Sequence, residues 1–402
     1  MARQITTGID IGTFHVKVVI AEEIIDKGRV IPKVIGTGHA ESRGLHHGYI
    51  TSQAEVTDSI RQAVASAEKM SGVEVKRAFV SVGGIGLSSV TASGSTIVSR
   101  ADLEITSLDL DKAQEAAETA IPHAQALNKK IINTIPVEYK TDGKVVWGRV
   151  QGLKAQKVEA KVLFIMCLDH HLQDLIKAVE EADIEVIDVV AAPIASSFVS
   201  LSKKQKKAGC VLANIGAETL SIVVFENNTP VSLEVFPIGG NDITNDIALG
   251  LKVPLEQAES IKMGAVTGAN FSKKKLDEII SARLSDMFEL IENHLKKIGR
   301  NALLPAGIIM TGGSSNLGAI KSFAEQALKL PSTVAPIHFG ETANPEVKTK
   351  DNSWSVAYGL AVLGFNAEGE RVSLGPRGVD IITAGGKRSL RVILDWISKF
   401  LP

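Results

Sequence analysis

The sequence predicts an α/β protein made of two similar halves around a cleft, with a small α+β domain inserted in the first half and an amphipathic helix at the C-terminal end. A strand, a glycine turn and a second strand open the chain, and the same order recurs after Gly209. Such a repeat of one supersecondary unit indicates two related halves. Changes of pattern at residues 84–160 and 387–401 indicate the insertion and the terminal helix.

Length and composition indicate a globular protein of two or more domains. The 402 residues are several times what one core needs, and the hydrophobic (45%) and charged (22%) fractions are close to globular averages. Aromatic residues make up only 4%, and 44 Lys and Arg nearly balance 45 Asp and Glu. No nucleic-acid partner is therefore predicted, and any attraction to a membrane must be local.

The two cysteines and the apolar runs predict a cytoplasmic protein that does not cross the membrane. Cys167 and Cys210 both lie in strand-like apolar runs, as expected of buried thiols in a reducing compartment. Residues 1–7 lack the apolar stretch of a signal peptide, and the longest uninterrupted apolar run, 162–168, is too short to span a bilayer.

Periodicity predicts the elements of the first half in order. Strands are expected at 5–10 and 16–22, a helix at 56–70 and a strand at 77–82. Within the insertion, a Ser, Thr and Gly-rich ribbon through residue 99 precedes a helix at 109–121 and short strands around Ile131, Tyr139 and Val145. A strand at 162–168, a helix at 171–182 and a strand at 185–190 return to the first fold, and 203–207 is expected to be a charged surface hinge.

The second half repeats the opening unit with strands at 211–215 and 220–225 around a turn at 216–218. Helices are predicted at 242–251, 254–263 and 276–298. A strand at 307–310 ends in the turn of Gly312 and Gly313, and a helix at 317–328 follows. Residues 367–386 lose periodicity and accumulate Gly, Pro and charge, which is typical of a flexible tether.

Three loops have the features of a polyphosphate site. Asp10 closes the first strand, Gly12 permits a turn, Thr13 offers a hydroxyl and an N–H, and Lys17 returns on the next strand. Successive backbone amides with a nearby cation bind anions, although one such hairpin alone is more often an ordinary turn. The second hairpin, ANIGAETLSIVVFE, and the two-glycine turn in GIIMTGGSSNLGAI make the combination specific, because a base or ribose can pack on bare backbone.

The order of hairpin, inserted domain, hairpin and two-glycine turn is similar to that of the actin and heat-shock ATPase superfamily. Within it, the chain resembles the FtsA family of actin-like bacterial cell-division proteins, whose insertion also follows the first β-rich half. The resemblance covers essentially the whole chain and is carried locally by SRGLHHGYI (42–50), IPVEYKTDG (135–143), GGNDITNDIALGL (239–251) and LEQAESIKMG (255–264).

The resemblance implies actin-like subdomains. Subdomain 1A would comprise residues 1–83, 161–193 and 346–366, with the insertion, 1C, at 84–160. Subdomain 2A would comprise 194–235 and 301–345, and 2B would comprise 236–300. A flexible linker at 367–386 would lead to a membrane-targeting helix at 387–402.

The resemblance also implies that ATP or ADP binds with Mg²⁺, the metal being held through the nucleotide without direct protein ligands. Asp10, Gly12, Thr13 and Lys17 would serve the first phosphate loop, and Gly216 and Thr219 the second. Glu259 and Lys262, one helical turn apart, would hold ribose or adenine. The expected nucleotide-binding set is completed by Phe14, Asn214, Gly239, Gly240, Gly312, Gly313 and Ser314.

Departures from the superfamily pattern predict weak or absent ATPase activity, and no catalytic residue is assigned. Ala217 and Glu218 replace a glycine pair, and a carboxylate pointing inward would repel phosphate. Asn214 stands where the superfamily commonly has an aspartate that organises Mg²⁺ and water, and an amide supplies no negative charge. An alternative is that Asn214 only ends a strand.

Five histidines, His46, His47, His123, His170 and His171, invite a metal-site interpretation. No cysteine or carboxylate recurs near them with ligand spacing, so they are predicted to be surface residues.

The terminal helix is amphipathic. Leu390, Ile393, Ile397, Phe400 and Leu401 share one face with Leu394 and Trp396 at its flanks, and four basic residues against Asp395 give a local charge of +3 (4 minus 1). Its membrane-binding set is predicted to be Leu390, Arg391, Ile393, Leu394, Trp396, Ile397 and Phe400. At about 1.5 Å per residue the helix is too short for the roughly 30 Å hydrocarbon core, so it should lie in an anionic interface. Docking on its own domain is the alternative, which the tether disfavours.

The resemblance implies a filament-forming division protein that anchors the FtsZ ring to the cytoplasmic face of the inner membrane at the division site and helps recruit other division proteins. Filament contacts would involve residues 84–160. The FtsZ C-terminal peptide would bind within 236–300, where Arg283 lies one turn from Met287. Arg283 could instead pair with Asp286 or Asp277 on the surface. A pilus-assembly relative and an ATP-dependent kinase of the superfamily are the alternative functions.

Overall fold

The computed structural model describes residues 4–26, 29–265, 272–318, 320–337, 341–342 and 351–373. The predicted helix at 387–402 and most of the predicted tether lie outside these residues. Among the described residues, no helix is both long and apolar enough to cross a membrane.

The described residues of the first half and its insertion form eleven strands and six helices. They are β1 (Ile5–Ile11), β2 (His15–Asp26), β3 (Arg29–Glu41), β4 (Leu45–His46), β5 (Tyr49–Ile50), α1 (Gln53–Ser71), β6 (Arg77–Val82), β7 (Ser88–Ile97), α2 (Ser107–Thr119), α3 (His123–Ala126), β8 (Lys129–Thr141), β9 (Lys144–Val146), β10 (Lys157–Leu168), α4 (Asp169–Glu180), β11 (Glu185–Ala191), α5 (Ala192–Ser200) and α6 (Lys203–Ala208).

The described part of the second half continues in the same style. Its elements are β12 (Cys210–Ile215), β13 (Leu220–Glu226), β14 (Thr229–Phe236), α7 (Gly240–Leu251), α8 (Leu255–Lys262), α9 (Lys273–Lys297), β15 (Ile308–Thr311), a 3-10 turn (Gly313–Asn316), α10 (Ile320–Leu328), β16 (Ser332–Val334) and β17 (Glu341–Thr342). A second 3-10 turn (Asn352–Trp354) then leads into α11 (Ser355–Ser373), which packs on the first half.

The two halves contain the same five-stranded arrangement. The first sheet has the order β11-β6-β1-β2-β3, extended by β17, and the second has the order β16-β15-β12-β13-β14. In each, the opening hairpin is antiparallel and its first strand pairs in parallel with a later strand, β6 or β15. The internal repeat predicted from the two hairpins is therefore present across whole sheets.

The insertion has its own sheet, of order β7-β10-β8-β9, with α2 packed on one face. A capping box starts α2: the buried Asp109 carboxylate accepts hydrogen bonds from the Thr106 backbone N–H (2.9 Å) and the Ser99 hydroxyl (2.8 Å). These donors keep the pKa of Asp109 well below its usual range, against the opposing effect of burial.

One boundary predicted for the insertion is wrong. The apolar run 162–168 was expected to return to the first fold, but it is the second half of β10, which pairs with β7 and β8 along its whole length. The insertion's sheet therefore extends past residue 160. Its far end also meets the second half, because the Ser89 hydroxyl donates to the Leu233 carbonyl and accepts from the Leu233 N–H, both at 2.8 Å.

The predicted charged surface hinge at 203–207 is a helix, although Lys203, Lys204 and Lys207 are exposed as predicted. These residues form α6, and Lys206 is buried with its ammonium 5.0 Å from the ring centroid of Phe225 and 5.4 Å from that of Phe198. Burial lowers the pKa of Lys206 to about 8. The predicted tether is likewise shortened at its start, since α11 continues through Ser373.

The two halves meet where α5 crosses α11. A Cβ atom on Gly359 of α11 would overlap the Ala195 carbonyl of α5, so the helices touch through bare backbone. On the same helix, Gly364 packs on Thr6 of β1. Helix α5 in turn contacts β12 and β13, which places this crossing at the joint between the halves.

Candidate functional site

A cavity of about 1050 Å³ lies between the halves and is lined by residues of both sheets. Fourteen of the fifteen residues in the predicted nucleotide-binding set line it, namely Asp10, Gly12, Thr13, Phe14, Lys17, Asn214, Gly216, Thr219, Gly240, Glu259, Lys262, Gly312, Gly313 and Ser314. Residues separated by some 300 positions in the chain therefore share one site.

The two hairpin turns have the same geometry. The Gly12 N–H donates to the His15 carbonyl at 3.2 Å, and the Gly216 N–H donates to the Thr219 carbonyl at 2.9 Å. Each glycine follows the last residue of its strand, β1 or β12. The turns thus face the cavity as a related pair, as two halves with the same sheet order require.

The first turn carries a group of partly buried charged and polar side chains. The Asp10 carboxylate accepts a hydrogen bond from the Ser81 hydroxyl at 2.8 Å, and Asp10 is paired with Lys17 across β1 and β2. Burial raises the pKa of Asp10, while Lys17 and Ser81 oppose that shift. Burial lowers the pKa of Lys17, opposed by Asp10 and Asp351. The Lys17 ammonium also donates to the Ser353 carbonyl at 2.6 Å, so it is held at the cavity wall.

In the second turn, Glu218 points away from the position where it would repel phosphate. Its carboxylate accepts a hydrogen bond from the His47 backbone N–H at 2.6 Å and lies 3.3 Å from His46 Nδ1. Glu218 therefore joins the second half to the β4–β5 hairpin of the first. The backbone of the turn, through Gly216 and Ala217, still lines the cavity.

The two-glycine turn lies beside the second hairpin turn and also lines the cavity. Gly312 has a φ of +90°, which disfavours any side chain, and a Cβ there would overlap Asn214 Oδ1. Gly313 is different, since the nearest atom to an added Cβ is Ser353 Cβ at 3.8 Å. The Ser314 hydroxyl donates to the Gly216 carbonyl at 3.4 Å, which ties this turn to the second hairpin.

Glu259 and Lys262 line the cavity as a pair already bound to each other. The Lys262 ammonium lies 2.6 Å from Glu259 Oε2 and donates to the Gly240 carbonyl (3.0 Å) and the Thr244 hydroxyl (2.8 Å). The Lys262 side chain is only 5% exposed. These contacts fix α8 to the first turn of α7, so the pair shapes this wall as well as offering polar groups.

Gly239 is the one predicted residue that does not line the described cavity. It precedes α7 and packs beneath Ala217 and Glu218, where a Cβ would overlap the Ala217 carbonyl. Because Gly239 has no side chain, the second hairpin turn can lie close to the start of α7. Sequence reasoning missed Ser81, Asp351 and Ser353, whose positions in the cavity depend on distant strand pairing.

The predictions for Met287 and His171 need correction, and Arg283 has one more partner than the sequence suggested. Met287 is 1% exposed and belongs to the core of the second half, so it is not available to a partner. Arg283 forms a two-pronged ion pair with Asp246 of α7 (2.7 and 3.0 Å) and lies 3.4 Å from Asp286. Asp246 was not among the pairing candidates. His171 was expected on the surface but is buried, with Nε2 3.3 Å from the Gly83 carbonyl.

Two copies of one sheet arrangement, facing across a cleft formed by their hairpin turns, define an actin-like protein. Three comparisons agree with this class. The chain is 30% identical to the cell division protein FtsA of Bacillus subtilis over 368 residues, covering 86% of this chain and 82% of that protein. The sequence profile of the family "Cell division protein FtsA" matches residues 211–359. The chain belongs to the FtsA family of cell-division proteins.

Solved structures support the fold. The PilM-PilN type IV pilus biogenesis complex aligns with a TM-score of 0.64 at 16% identity, covering 89% of this chain and 98% of that one. MreB5 of Spiroplasma citri bound to ADP aligns with a TM-score of 0.52 at 11% identity, covering 92% and 99%. At these identities the likeness concerns the fold, so the pilus-assembly alternative gains no functional support from it, and the family is that of FtsA.

Proposed function

We propose that this division protein binds ATP or ADP with Mg²⁺ in the cleft and, in that state, assembles into filaments that tie the FtsZ ring to the inner membrane. The observation that carries the proposal is the cavity lined by both hairpin turns and the two-glycine turn. Paired turns present backbone N–H groups and one ammonium, Lys17, to a polyphosphate. MreB5 of Spiroplasma citri, which has a similar fold, is bound to ADP in its solved structure.

The donor set of the first turn fits a Mg²⁺–nucleotide. Mg²⁺ usually keeps several waters and takes one or two carboxylates together with phosphate oxygens. Asp10 places a partly buried carboxylate at the cavity wall with its pKa raised by desolvation, so a nearby hydrated cation would stabilise its charged form. Asp10 would orient the hydrated metal, Lys17 and the turn amides would hold phosphate, and bound Mg²⁺ would neutralise phosphate charge.

The remaining parts of the proposal concern partners. The terminal helix would bind anionic lipid, and other division proteins would be recruited at the same place on the cytoplasmic face. The FtsZ C-terminal peptide would bind on the α7–α9 surface, where Arg283 and the 79% exposed Leu249 offer charge and apolar contact. Insertion residues such as Trp147, 75% exposed, would serve contacts between filament subunits.

Gly313→Leu tests the nucleotide site without disturbing the fold. Because an added Cβ has ordinary space at this position, the longer side chain should enter the cavity and weaken ADP binding at least about tenfold, or 1.4 kcal/mol, in calorimetry. Gly313→Ala is the matched control and should bind nearly as wild type. Unchanged affinity in the leucine variant, with an unaltered circular dichroism spectrum, would show that nucleotide binds elsewhere.

A further inference from the structure

His46, His47 and Glu218 form a cluster that spans the cleft, and it is called the His–Glu clasp below. One possible ligand atom of each residue lies within 4.8 Å of the others. His46 Nδ1 is 3.3 Å from Glu218 Oε2, and His47 Nδ1 is 3.1 Å from the Glu218 carbonyl. The two histidines belong to the first half and the glutamate to the second, so sequence spacing could not reveal the cluster.

The backbone on both sides of the clasp is firmly held. His47 (φ 47°) and Gly48 (φ 84°) are the central residues of the tight β4–β5 turn, and the His47 carbonyl accepts a hydrogen bond from the Ile85 N–H at 3.3 Å. Opposite, the Ala217 carbonyl accepts from the Asn241 N–H at 2.7 Å. Because the backbone is already held, the side chains that would bind an ion lose little conformational entropy when they do so.

We propose that the His–Glu clasp is a binding site for a divalent transition-metal ion of the Zn²⁺ type, which cross-links the two halves. Two imidazoles and a carboxylate form a set that Zn²⁺ uses with a water in the fourth position. With bonds of about 2.1 Å, tetrahedral ligand atoms lie about 3.4 Å apart, close to the separation of His46 Nδ1 and Glu218 Oε2. The ligand atom of His47 lies within 4.8 Å of the other two.

Access and ligand chemistry agree with this assignment. The His46 side chain is 66% exposed, which gives an ion and its water a route from solvent, whereas Glu218 is 19% exposed. Because a carbonyl can only accept, the contact of His47 Nδ1 with the Glu218 carbonyl places the proton on Nδ1 and leaves a lone pair on Nε2. To bind the ion through Nδ1, the His47 ring would take the tautomer with its proton on Nε2, and the metal bond would replace the hydrogen bond to the Glu218 carbonyl.

The functional consequence is separate from nucleotide chemistry. Glu218 belongs to the second hairpin turn, so an ion at the clasp would hold that turn against the first half whether or not nucleotide is present. Metal binding and cleft closure would then favour each other, and the coupling would act equally in both directions.

The test is a Zn²⁺ titration of the tag-free full-length protein without nucleotide, followed by calorimetry, with Co²⁺ as a spectroscopic probe. Wild type should bind one ion per chain, and Co²⁺ should give the intense visible bands of a four-coordinate site. His46→Ala and Glu218→Gln should each weaken binding at least about tenfold. His123→Ala, which removes an exposed histidine of the insertion, is the matched control and should bind as wild type.

Two results would overturn the assignment. One is the absence of saturable Zn²⁺ binding by the folded wild type. The other is binding that survives in both His46→Ala and Glu218→Gln, with circular dichroism showing that each is folded. Because His46 does not line the described nucleotide cavity, ADP affinity of His46→Ala should stay close to wild type, which separates this test from that of the nucleotide site.

Discussion

Asn214 occupies in the second half the place that Asp10 takes in the first. Each residue precedes the last strand residue before its turn glycine, and each lines the cavity. The difference is one charge: Asp10 has a carboxylate beside Lys17, whereas Asn214 has an amide opposite Ser221 across the hairpin. The Asn214 amide can therefore orient water at the cavity, but it cannot balance a cation there or draw a proton from water.

Weak hydrolysis follows from that difference. We expect phosphate release below about 1 per second for wild type, the low end of ordinary enzymes. Asn214→Asp should raise the rate severalfold because it adds a metal-balancing charge at the turn. Asn316→Asp is the matched control, since it adds the same charge beside the two-glycine turn, and it should leave the rate unchanged. Rapid turnover by wild type would contradict the interpretation of Asn214.

Single residues also show what the sequence could and could not reveal. The glycines and polar residues of the turns were predictable because their types match local turn chemistry. The orientation of Glu218 was not, because it depends on His46 and His47 from the other half. Met287 was misplaced because a methionine at helical spacing fits either a surface ridge or a core, and here the core contains it.

At the scale of elements, α9 carries a group whose protonation is linked to folding. His294 is buried and hydrogen-bonded to the Ser232 hydroxyl of β14 at 2.8 Å, with Glu234 at 3.7 Å. Burial, and then Lys297, lowers the pKa of His294 to about 4 from 6.5. A lowered folded-state pKa stabilises the protein above pH 6.5, and this contribution is lost as pH falls toward 4.

The expected loss between pH 7 and pH 5 is on the order of 2 kcal/mol, from about 1.4 kcal/mol per pH unit below the unfolded pKa. Replacing His294 with glutamine removes the titrating group, so the variant's thermal unfolding midpoint should fall less over this interval than that of wild type. Differential scanning calorimetry at both pH values measures it. Equal decreases for the two proteins would mean that His294 is not the responsible group.

The α7–α9 pair offers a test of partner binding. If Arg283 contacts the FtsZ peptide, Arg283→Glu should weaken binding at least about tenfold by fluorescence anisotropy. The same change also places a carboxylate against Asp246. The control is therefore the charge swap Arg283→Glu with Asp246→Arg, which restores the ion pair but not the partner's contact, so binding should stay weak. If the double variant bound the peptide as tightly as wild type, Arg283 would have only a structural role.

Element types were more predictable than their partners. The opening hairpins, α1, β6, α7 and α9 follow clear periodicities, and the structure confirms them within a few residues. The run 162–168 was assigned to the wrong sheet because an apolar run indicates a buried strand without indicating which neighbours it has. A lysine-rich stretch predicts an exposed hinge because charge usually indicates solvent exposure, but Lys206 of α6 is buried with its ammonium over the rings of Phe198 and Phe225.

For the whole molecule, membrane attachment is predicted from the sequence of residues 387–401 alone. Four basic residues and one apolar face in 387–401 predict binding to anionic vesicles with roughly 3 kcal/mol from charge alone. Full-length protein should pellet with phosphatidylserine-containing liposomes, less so at high salt, and residues 1–386 should remain in the supernatant. The truncated chain must still bind ADP, as a control for folding. Equal pelleting of both chains would place the membrane contact elsewhere.

The glycine crossing of α5 and α11 determines how the molecule can deform. Gly359 has no side chain where it meets the Ala195 backbone, so the two helices approach closely at that point. Helix α11 is fixed to the first sheet through β1 and β2, and α5 rests on β12 and β13 of the second. The crossing can therefore act as the axis about which one half rotates against the other, which would open or close the cavity between the hairpin turns. The displacement that such a rotation gives at the hairpin turns would grow with their distance from the crossing, so a small change at the helices would produce a larger change in the width of the cavity.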